Sequence, residues 1–197
     1  MREHLVPALR ITAVTLVLTG IAYPLAVTGL AQLLFREKAD GSLVKDERGA
    51  VVGSELIGQR FSSPAYFQPR PSAAGEQGWD GTSSGGSNLG PTSKRLRERV
   101  AAEVQRLQSE NGGSPLPAEL VTASASGLDP HLSPEAALWQ VPRIAAARDV
   151  APERVRTLVG AFIEGRDLAV LGEPRVNVLL LNLALDRHFG RALASGG

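Results

Sequence analysis

The hydrophobic positions of the chain form one long block near its start and several shorter periodic stretches after it. Residues Ile11 to Phe35 contain no charged side chain and are bounded by Arg10 and Arg36. A helix needs about 20 apolar residues to cross the hydrocarbon core of a bilayer. This run of 25 residues can therefore span with some tilt. We predict a short N-terminal tail over residues 1–10 and a transmembrane helix over residues 11–35.

The interior of this run carries two features that bear on helix geometry and packing. Tyr23-Pro24 lies near its middle, and proline cannot donate a hydrogen bond to the carbonyl of Gly20, so we expect a kink or a bond supplied from elsewhere. A stripe of small residues at helical spacing would let a second membrane helix approach closely. Its members are Ala22, Ala26 and Gly29. Small residues are common in any bilayer helix, so an ordinary lipid-facing surface is the alternative.

A cleaved signal peptide is the main alternative to a retained anchor. Gly29-Leu30-Ala31 fits a small-x-small cleavage pattern. However, the apolar region of a signal peptide typically runs to about 15 residues, which is shorter than this run. Arg36 and Lys38 also close the run like a stop-transfer flank. We favour the anchor. Basic residues do not decide its orientation, because long domains translocate largely regardless of charge.

The pattern over residues 36–197 predicts one extra-membrane domain of the α+β class, with short strands in its first half and helices in its second. Val51 to Phe61 offers strand candidates, and Leu120 to Ser126 predicts a buried strand. The glycine-rich stretch 75–91 predicts a long surface loop. An amphipathic helix is predicted from a cap at Thr92 or Ser93 to about Asn111.

Three further helices are predicted in the last third of the chain. The first begins at Pro134 after the N-cap Ser133, with a kink expected at Pro142. The second runs from Pro152 and stops at Gly165. The last is opened by Glu173-Pro174-Arg175 and continues through VNVLLLNLALD. Its apolar residues lie nearly all round, so we predict that it is central in the core.

Composition excludes several classes of function. Among the 197 residues, 21 Lys and Arg stand against 20 Asp and Glu, and no basic run is present, so we exclude nucleic acid as a partner. Cysteine is absent and the three histidines are far apart in sequence, so we expect no metal site. The chain has no GxxxxGK[ST], no GxSxG and no DKTGT-like aspartate. We therefore expect no catalytic residues on this chain.

The most suggestive polar run is Ser84-Gly85-Gly86-Ser87-Asn88, which loosely resembles the LSGGQ signature that contacts nucleotide in ABC ATPases. Its glycines allow close backbone approach, and a helix is predicted just after it, where an anion can be held. No Lys or Arg lies within the run, so we favour the alternative of a flexible serine-glycine loop.

Asp129 and His131 suggest an acid/base pair or two metal ligands, but Asp-Pro favours a turn, which we prefer.

Two smaller sets of residues are predicted to be structural. Tyr66, Phe67 and Trp79 would form an aromatic contact surface, but such residues more often pack in a core or a loop. Asn177 and Asn182 lie five apart in the last apolar helix, and we predict that they bond to buried backbone or to each other.

Five blocks of sequence together resemble the KdpC family of bacterial Kdp potassium-transporting ATPases. They follow in order over nearly the whole chain, and none would be specific alone: TGIAYPLAVTGLAQLLF, GSELIGQRFSSPAYFQPRPSAAG, SGGSNLGPTS, LVTASASGLDPHLSPEAALWQVPRIAAAR and LGEPRVNVLLLNLALD. The resemblance implies a non-catalytic accessory subunit of an ATP-driven potassium uptake complex in the bacterial cytoplasmic (inner) membrane. Its partners would be a channel-like potassium-translocating subunit, an ATP-hydrolysing P-type subunit, a small stabilising subunit and membrane lipid.

The resemblance also implies a chaperone role that raises the ATP affinity of the P-type subunit, with the Ser84–Asn88 run as the nucleotide contact. It further implies a periplasmic or extracytoplasmic domain, which cannot touch cytoplasmic ATP. An effect on ATP would then be allosteric and pass through the membrane helix. We expect no firmly bound cofactor, with ATP acting through the complex. The alternative is a membrane-anchored nucleotide- or ligand-binding regulator outside the Kdp system.

Overall fold

The computed structural model describes residues 2–46, 48–111 and 115–192, and it divides the chain into two units, 1–52 and 53–197. A long helical stretch opens the first unit, followed by a short helix and a two-stranded sheet. Its elements are α1 (Arg2–Val17), a π-helical turn (Leu18–Ala22), α2 (Tyr23–Leu34), α3 (Arg36–Ala39) and β1 (Leu43–Lys45). β1 pairs with β2 (Val51–Ser54), of which the last two residues belong to the second unit.

The helical stretch begins at Arg2, so residues 2–10, which the sequence assigned to a tail, are helical. The 32 residues Glu3–Leu34 form a helix long and apolar enough to cross a membrane, with a mean hydropathy of 1.9 over its most apolar window. None of its described side chains is buried within the chain. This exposure is what a helix needs when lipid or partner helices surround it.

The adjustment expected at the proline takes the form of a π-helical turn directly before it. The N–H of Tyr23 donates to the carbonyl of Leu18, five residues earlier, instead of the usual four. Pro24 then stands in the first turn of α2, where its missing N–H is tolerated. The hydroxyl of Thr19 also donates to the carbonyl of Thr15 at 2.8 Å, inside the same stretch.

The second unit is α+β, which confirms the predicted class. A small antiparallel sheet in the order β3-β5-β4 lies with four helices around one apolar core. The elements are α4 (Lys94–Asn111), a 3-10 turn (Ala118–Leu120), β3 (His131–Leu132), α5 (Pro134–Arg148), α6 (Pro152–Ala161), β4 (Ile163–Glu164), β5 (Arg175–Asn177) and α7 (Val178–Phe189). The most deeply buried apolar side chains include Phe67, Leu132, Val141, Ile144, Val155, Val159, Val176, Leu181 and Leu185.

The helix signals in the sequence are largely confirmed. Ser93 accepts a hydrogen bond from the N–H of Leu96 at 3.3 Å, and Ser133 accepts one from Ala136 at 3.2 Å, so both serines cap their helices. Pro142 lies within α5, which continues past it to Arg148. The helix from Pro152 stops at Ala161, four residues before Gly165.

Two predicted elements are wrong. Leu120 to Ser126 is not a strand, because it continues the 3-10 turn into irregular chain whose N–H groups bond locally, as that of Thr122 does to Ala118 at 3.1 Å. Glu173-Pro174-Arg175 does not open a helix. Residues 175–177 instead pair with strands on both sides as β5, and α7 begins at Val178. α7 is nevertheless central in the core, as predicted, because half of its residues are buried, among them Leu181 and Leu185, which are almost fully enclosed.

Candidate functional site

An irregular segment, residues 64–68, is bound to the helices by side chains instead of by a neighbouring strand. The N–H of Phe67 donates to the side-chain oxygen of Asn182 at 2.8 Å, and the amide nitrogen of Asn182 donates back to the carbonyl of Phe67 at 2.9 Å. Gln140 makes the same double contact with Gln68, at 2.9 and 3.0 Å. Two buried amides therefore satisfy backbone groups that have no strand partner.

Arg143 extends this set of contacts from α5. Its guanidinium donates to the carbonyl of Pro64, to that of Tyr66 at 3.1 Å and to the side chain of Gln140 at 2.7 Å. Burial lowers the pKa of Arg143 to about 10, although the negative charge of Glu110 acts to raise it. The group therefore remains cationic at neutral pH. A buried cation is accepted here because protein oxygens surround it.

Arg148, one turn and a half further along α5, holds the same segment from the other side. It donates to the carbonyl of Ala65 at 2.7 Å and pairs with Asp186 of α7 at 2.8 Å. The ring of Tyr66 lies 4.8 Å from its guanidinium carbon, and the Tyr66 hydroxyl donates to Asp186 at 2.8 Å. Burial and this hydrogen bond raise the pKa of Tyr66. Segment 64–68 is thus a fixed part of the scaffold.

The Ser84–Asn88 run lies against the segment that precedes β3. The N–H of Gly85 donates to the carbonyl of Ser126 at 2.8 Å, and the Ser84 hydroxyl donates to the same oxygen at 3.0 Å. A Cβ at Gly86 would lie 2.9 Å from the carbonyl oxygen of Ala125, which is too close for a side chain. The glycine at 86 is therefore required by packing against backbone.

The facing segment has a matching requirement at Gly127. Its φ is +68°, and a Cβ there would lie 2.6 Å from the nitrogen of Ala74 and 2.7 Å from the carbonyl oxygen of Gly85. Glycines on both segments thus allow two irregular chains to lie close together. Within the Ser84–Asn88 run, this contact explains the glycine at 86 but not the one at 85, where a Cβ would meet no atom within 4 Å.

The turn predicted at Asp129 and His131 is present. A carboxylate oxygen of Asp129 accepts from the N–H of His131 at 3.0 Å, and the other lies 3.3 Å from Arg70. Burial disfavours the charged carboxylate, but the hydrogen bonds from His131 and the charge of Arg70 outweigh it, so the pKa of Asp129 lies below its usual value. Arg70 was not predicted as a partner, since it is distant in sequence.

A loop that sequence analysis missed exposes an unusual amount of apolar surface. Leu168, Ala169, Val170 and Leu171, which we call the apolar tip, lie in the hairpin between β4 and β5. Leu168 is 85% exposed and Val170 is 72% exposed. Leu168 and Ala169 also have φ values of +51° and +64°, a conformation that residues with a Cβ rarely adopt. The signal available in the sequence was the run LAVL between Arg166-Asp167 and Gly172.

The base of this hairpin is held by hydrogen bonds and ion pairs. Asp167 and Leu171 exchange two backbone hydrogen bonds, at 2.8 and 2.9 Å. Arg166 pairs with Glu173 at 2.7 Å, and Arg175 pairs with Glu164 at 3.0 Å and with Asp167 at 3.3 Å. Both arginines of the stem are therefore paired with its three carboxylates, and the surface that remains at the end is apolar.

Other residues singled out in the sequence are either exposed on the membrane-length helix or buried in the second unit. Ala22, Ala26 and Gly29 are exposed on the membrane-length helix, and a Cβ at Gly29 would meet no atom within 4 Å. Phe67 is buried, as expected of a packing residue. Asn177 donates to the carbonyl of Glu55 at 2.8 Å and accepts from Leu180 at 3.1 Å, which confirms, with Asn182, the prediction of backbone bonding. Among the residues that the structure describes, no group of three His, Asp or Glu is placed to hold a metal ion.

Comparison with known proteins gives one consistent family. Residues 5–187 match the family model described as KdpC: K+-transporting ATPase, c chain. A relative from Myxococcus xanthus is 68% identical over 185 residues, covering 93% of this chain and 87% of its own. Relatives from Methylobacterium nodulans and Koribacter versatilis are 54% and 50% identical and cover 97% and 94% of this chain, and 100% and 95% of their own. All three are named Potassium-transporting ATPase KdpC subunit. The chain therefore belongs to the KdpC family of K+-transporting ATPase subunits.

Proposed function

We propose that this chain is a non-catalytic assembly subunit of an inner-membrane potassium uptake ATPase, and that the apolar tip docks on another subunit of that complex. The observation that carries the docking is an exposed apolar surface on a fixed stem. The family model describes the c chain of an ATPase, so another chain of that ATPase is a natural occupant for an exposed apolar surface. A regulator outside the Kdp system is not favoured by the family to which the chain belongs.

The partner we assign to the apolar tip is the channel-like potassium-translocating subunit. The stem charges of the hairpin are paired with each other, which leaves no free basic side chain there to attract an anionic lipid surface. An apolar end without a free basic group suits a protein pocket better than a layer of anionic headgroups. The other partners are the ATP-hydrolysing P-type subunit and the small stabilising subunit.

The membrane helix would be the second point of attachment. Ala22, Ala26 and Gly29 present a surface without bulky side chains, which suits close packing against a helix of a partner. We assign the second unit to the periplasmic side. An influence on ATP use by the P-type subunit would then travel through this helix as a change in the equilibrium between its conformations.

Direct ATP binding by Ser84–Asn88 is not part of this proposal. The glycine at 86 is accounted for by its contact with Ala125, and the run itself contains no cation. Phosphate groups in proteins are normally met by guanidinium, ammonium or several converging N–H groups. In this run one of the N–H groups, that of Gly85, is already bonded to Ser126.

The docking proposal is tested by a double substitution at the tip, Leu168→Asn with Val170→Ser. Asparagine tolerates positive φ and the positions are exposed, so the fold should be unchanged. We expect the tagged chain to recover at least about tenfold less of the channel-like subunit from solubilised membranes, since interface anchors typically contribute 1.4 kcal/mol or more, roughly a factor of ten.

The matched control is Leu56→Asn, at a leucine that is 63% exposed but lies outside the hairpin. It should recover the complex as the unchanged chain does. Equal recovery by the tip variant and the control would refute docking through the tip. Equal and complete loss by both would instead indicate a general effect of removing surface leucines.

A further inference from the structure

A cleft of about 480 Å³ in the second unit gathers charged and aromatic side chains that have no part in the contacts above. Three guanidinium groups line it, those of Arg60, Arg99 and Arg106, together with Glu103 and the ring of Trp79. Arg99, Glu103 and Arg106 come from α4, whereas Arg60 and Trp79 come from irregular chain. The fold thus brings together cations that are far apart in sequence.

The charges in this cleft do not cancel. Arg106 is paired with Glu103 at 2.8 Å and with Glu110 at 2.7 Å, which accounts for its charge. Arg60 and Arg99 form no ion pair with any carboxylate in the part of the chain that the structure describes. Two positive charges therefore remain without a protein counter-charge.

Arg99 is the less expected of the two cations because it is partly enclosed. Its Nε is buried and has no hydrogen-bond acceptor in the structure. A guanidinium that is partly desolvated without compensation destabilises the fold. A bound anion in the cleft would supply the missing counter-charge, which gives a physical reason for a ligand at this place.

Trp79 adds a second, independent sign of a built site. Its φ is +55°, which is uncommon for a bulky side chain. The backbone N–H of Trp79 donates to the hydroxyl of Ser72 at 2.7 Å, and this hydroxyl donates to the carbonyl of Gly127 at 2.6 Å. The guanidinium carbon of Arg60 lies 6.0 Å from the Trp79 ring centroid. A fixed backbone therefore holds an aromatic ring beside an unpaired cation.

We propose that this cleft binds a phosphate monoester, with Arg60 and Arg99 holding the phosphate and Trp79 contacting the less polar part of the molecule. Guanidinium groups match the oxygens of phosphate in geometry, and two uncompensated cations match the charge of a dianion. The apolar wall formed by Pro69, Pro71 and Leu120 suits a carbon skeleton attached to that phosphate. A soluble phosphate ester and the headgroup of phosphatidic acid share this chemistry.

The experiment is calorimetric titration of the full-length chain in neutral detergent. The probes are glycerol 3-phosphate, which carries the headgroup alone, short-chain dihexanoyl phosphatidic acid, and glycerol as the uncharged reference. We expect saturable binding of a phosphate probe, none of glycerol, and weaker affinity at higher salt. Binding of both phosphate probes with similar affinity assigns the site to a soluble ester, and binding of the phosphatidic acid alone assigns it to a lipid.

Two variants and a matched control locate the site. Arg99→Gln and Arg60→Gln should each weaken binding at least about tenfold, because each removes one charge-assisted contact. Arg97→Gln removes the same charge from an exposed position of α4 that does not line the cleft, and it should change affinity by less than about twofold. Arg60 is exposed, so its variant keeps the test informative if Arg99→Gln lowers stability.

The proposal would be overturned if neither phosphate probe showed saturable binding. It would be overturned equally if Arg97→Gln weakened binding as much as Arg60→Gln, because the attraction would then be a general effect of charge. The titration uses no partner subunit, so its result is independent of docking through the apolar tip.

Discussion

The membrane-length helix and segment 64–68 satisfy their backbone polar groups in opposite ways. The helix bonds almost entirely within itself, even at its proline, where a π-helical turn absorbs the defect, and it leaves its side chains exposed. Segment 64–68 has no regular structure, and buried side chains from distant helices bond to it. The first region needs only its own sequence to form. The second exists only where the rest of the fold is in place.

This difference indicates where each region is sensitive to substitution. In the helix no described side chain is buried within the chain, so replacing one should matter only where a partner or lipid meets it. In segment 64–68 a single side chain such as Gln140 carries two hydrogen bonds to buried backbone. Its loss leaves those groups without partners and without water.

The largest effect is therefore expected from Gln140→Leu. The leucine has a similar volume but removes both contacts with the backbone of Gln68 and the acceptor for Arg143. Each buried group left unpaired costs about 1–3 kcal/mol, so we expect a loss of about 2–4 kcal/mol in the free energy of unfolding. Urea unfolding of the full-length chain in detergent, followed by tryptophan fluorescence, measures it.

The control is Gln105→Leu, the same change at an exposed position of α4. It should stay within about 0.5 kcal/mol of the unchanged chain. Similar losses in the two variants would contradict the view that segment 64–68 depends on side-chain hydrogen bonds. The contrast with the self-sufficient helix would then disappear.

An intermediate effect is expected at the contact between Ser84–Asn88 and the segment before β3. Gly86→Ala places a Cβ 2.9 Å from the carbonyl oxygen of Ala125, so one of the two chains must move. We expect a loss of about 1–2 kcal/mol, in the range of small overpacking. The same urea unfolding experiment measures this change.

Its neighbour provides the comparison, because a Cβ at Gly85 would meet no atom within 4 Å. Gly85→Ala should be neutral, or slightly stabilising through the unfolded state. If both glycine variants kept full stability, the packing explanation of this run would fail, and the nucleotide interpretation would regain its place.

The smallest effect on the chain itself is expected in the membrane helix. Gly29→Leu adds a side chain where no atom of the chain lies within 4 Å of the new Cβ, so the melting temperature of the second unit in detergent should not change. In membranes, however, the bulk would separate the helix from a partner packed on that face. We expect several-fold less assembled complex on native gels.

Gly20→Leu is the control, because it is equally open within the chain but does not share the spacing of Ala22, Ala26 and Gly29. Normal assembly with Gly20→Leu and reduced assembly with Gly29→Leu would identify the packing face. Normal assembly with both would show that this surface faces lipid.

Local signals in the sequence predicted elements well where an element is fixed by contacts among residues close together in sequence. Ser133 and Pro134 define the start of α5 by a hydrogen bond and a φ angle that belong to that helix alone. Leu120 to Ser126 misled because a short apolar run has the same pattern in a strand and in a buried turn. Arg175 to Asn177 misled because its strand character comes from pairing with β3 and β4 on either side.

The candidate sites were predictable only in part. The Ser84–Asn88 run was visible as a motif, but the reason for its glycine at 86 is a backbone oxygen near residue 125. The apolar tip left a trace as a short apolar run in a loop, and its exposure became evident only in the structure. The cleft of Arg60, Arg99 and Trp79 left no trace, because spacing along the chain does not bring these residues together.

By itself, then, the sequence determined the long apolar helix, the helix caps, the α+β class and the resemblance to a family, because each depends on neighbouring residues or on order along the chain. Only the tertiary structure decided which oxygen each buried amide and guanidinium meets, and which cations remain unpaired. The physical reason is that a buried polar group is stabilised by partners that the fold supplies from far away in sequence. Asn182, 115 residues from Phe67, is the clearest example.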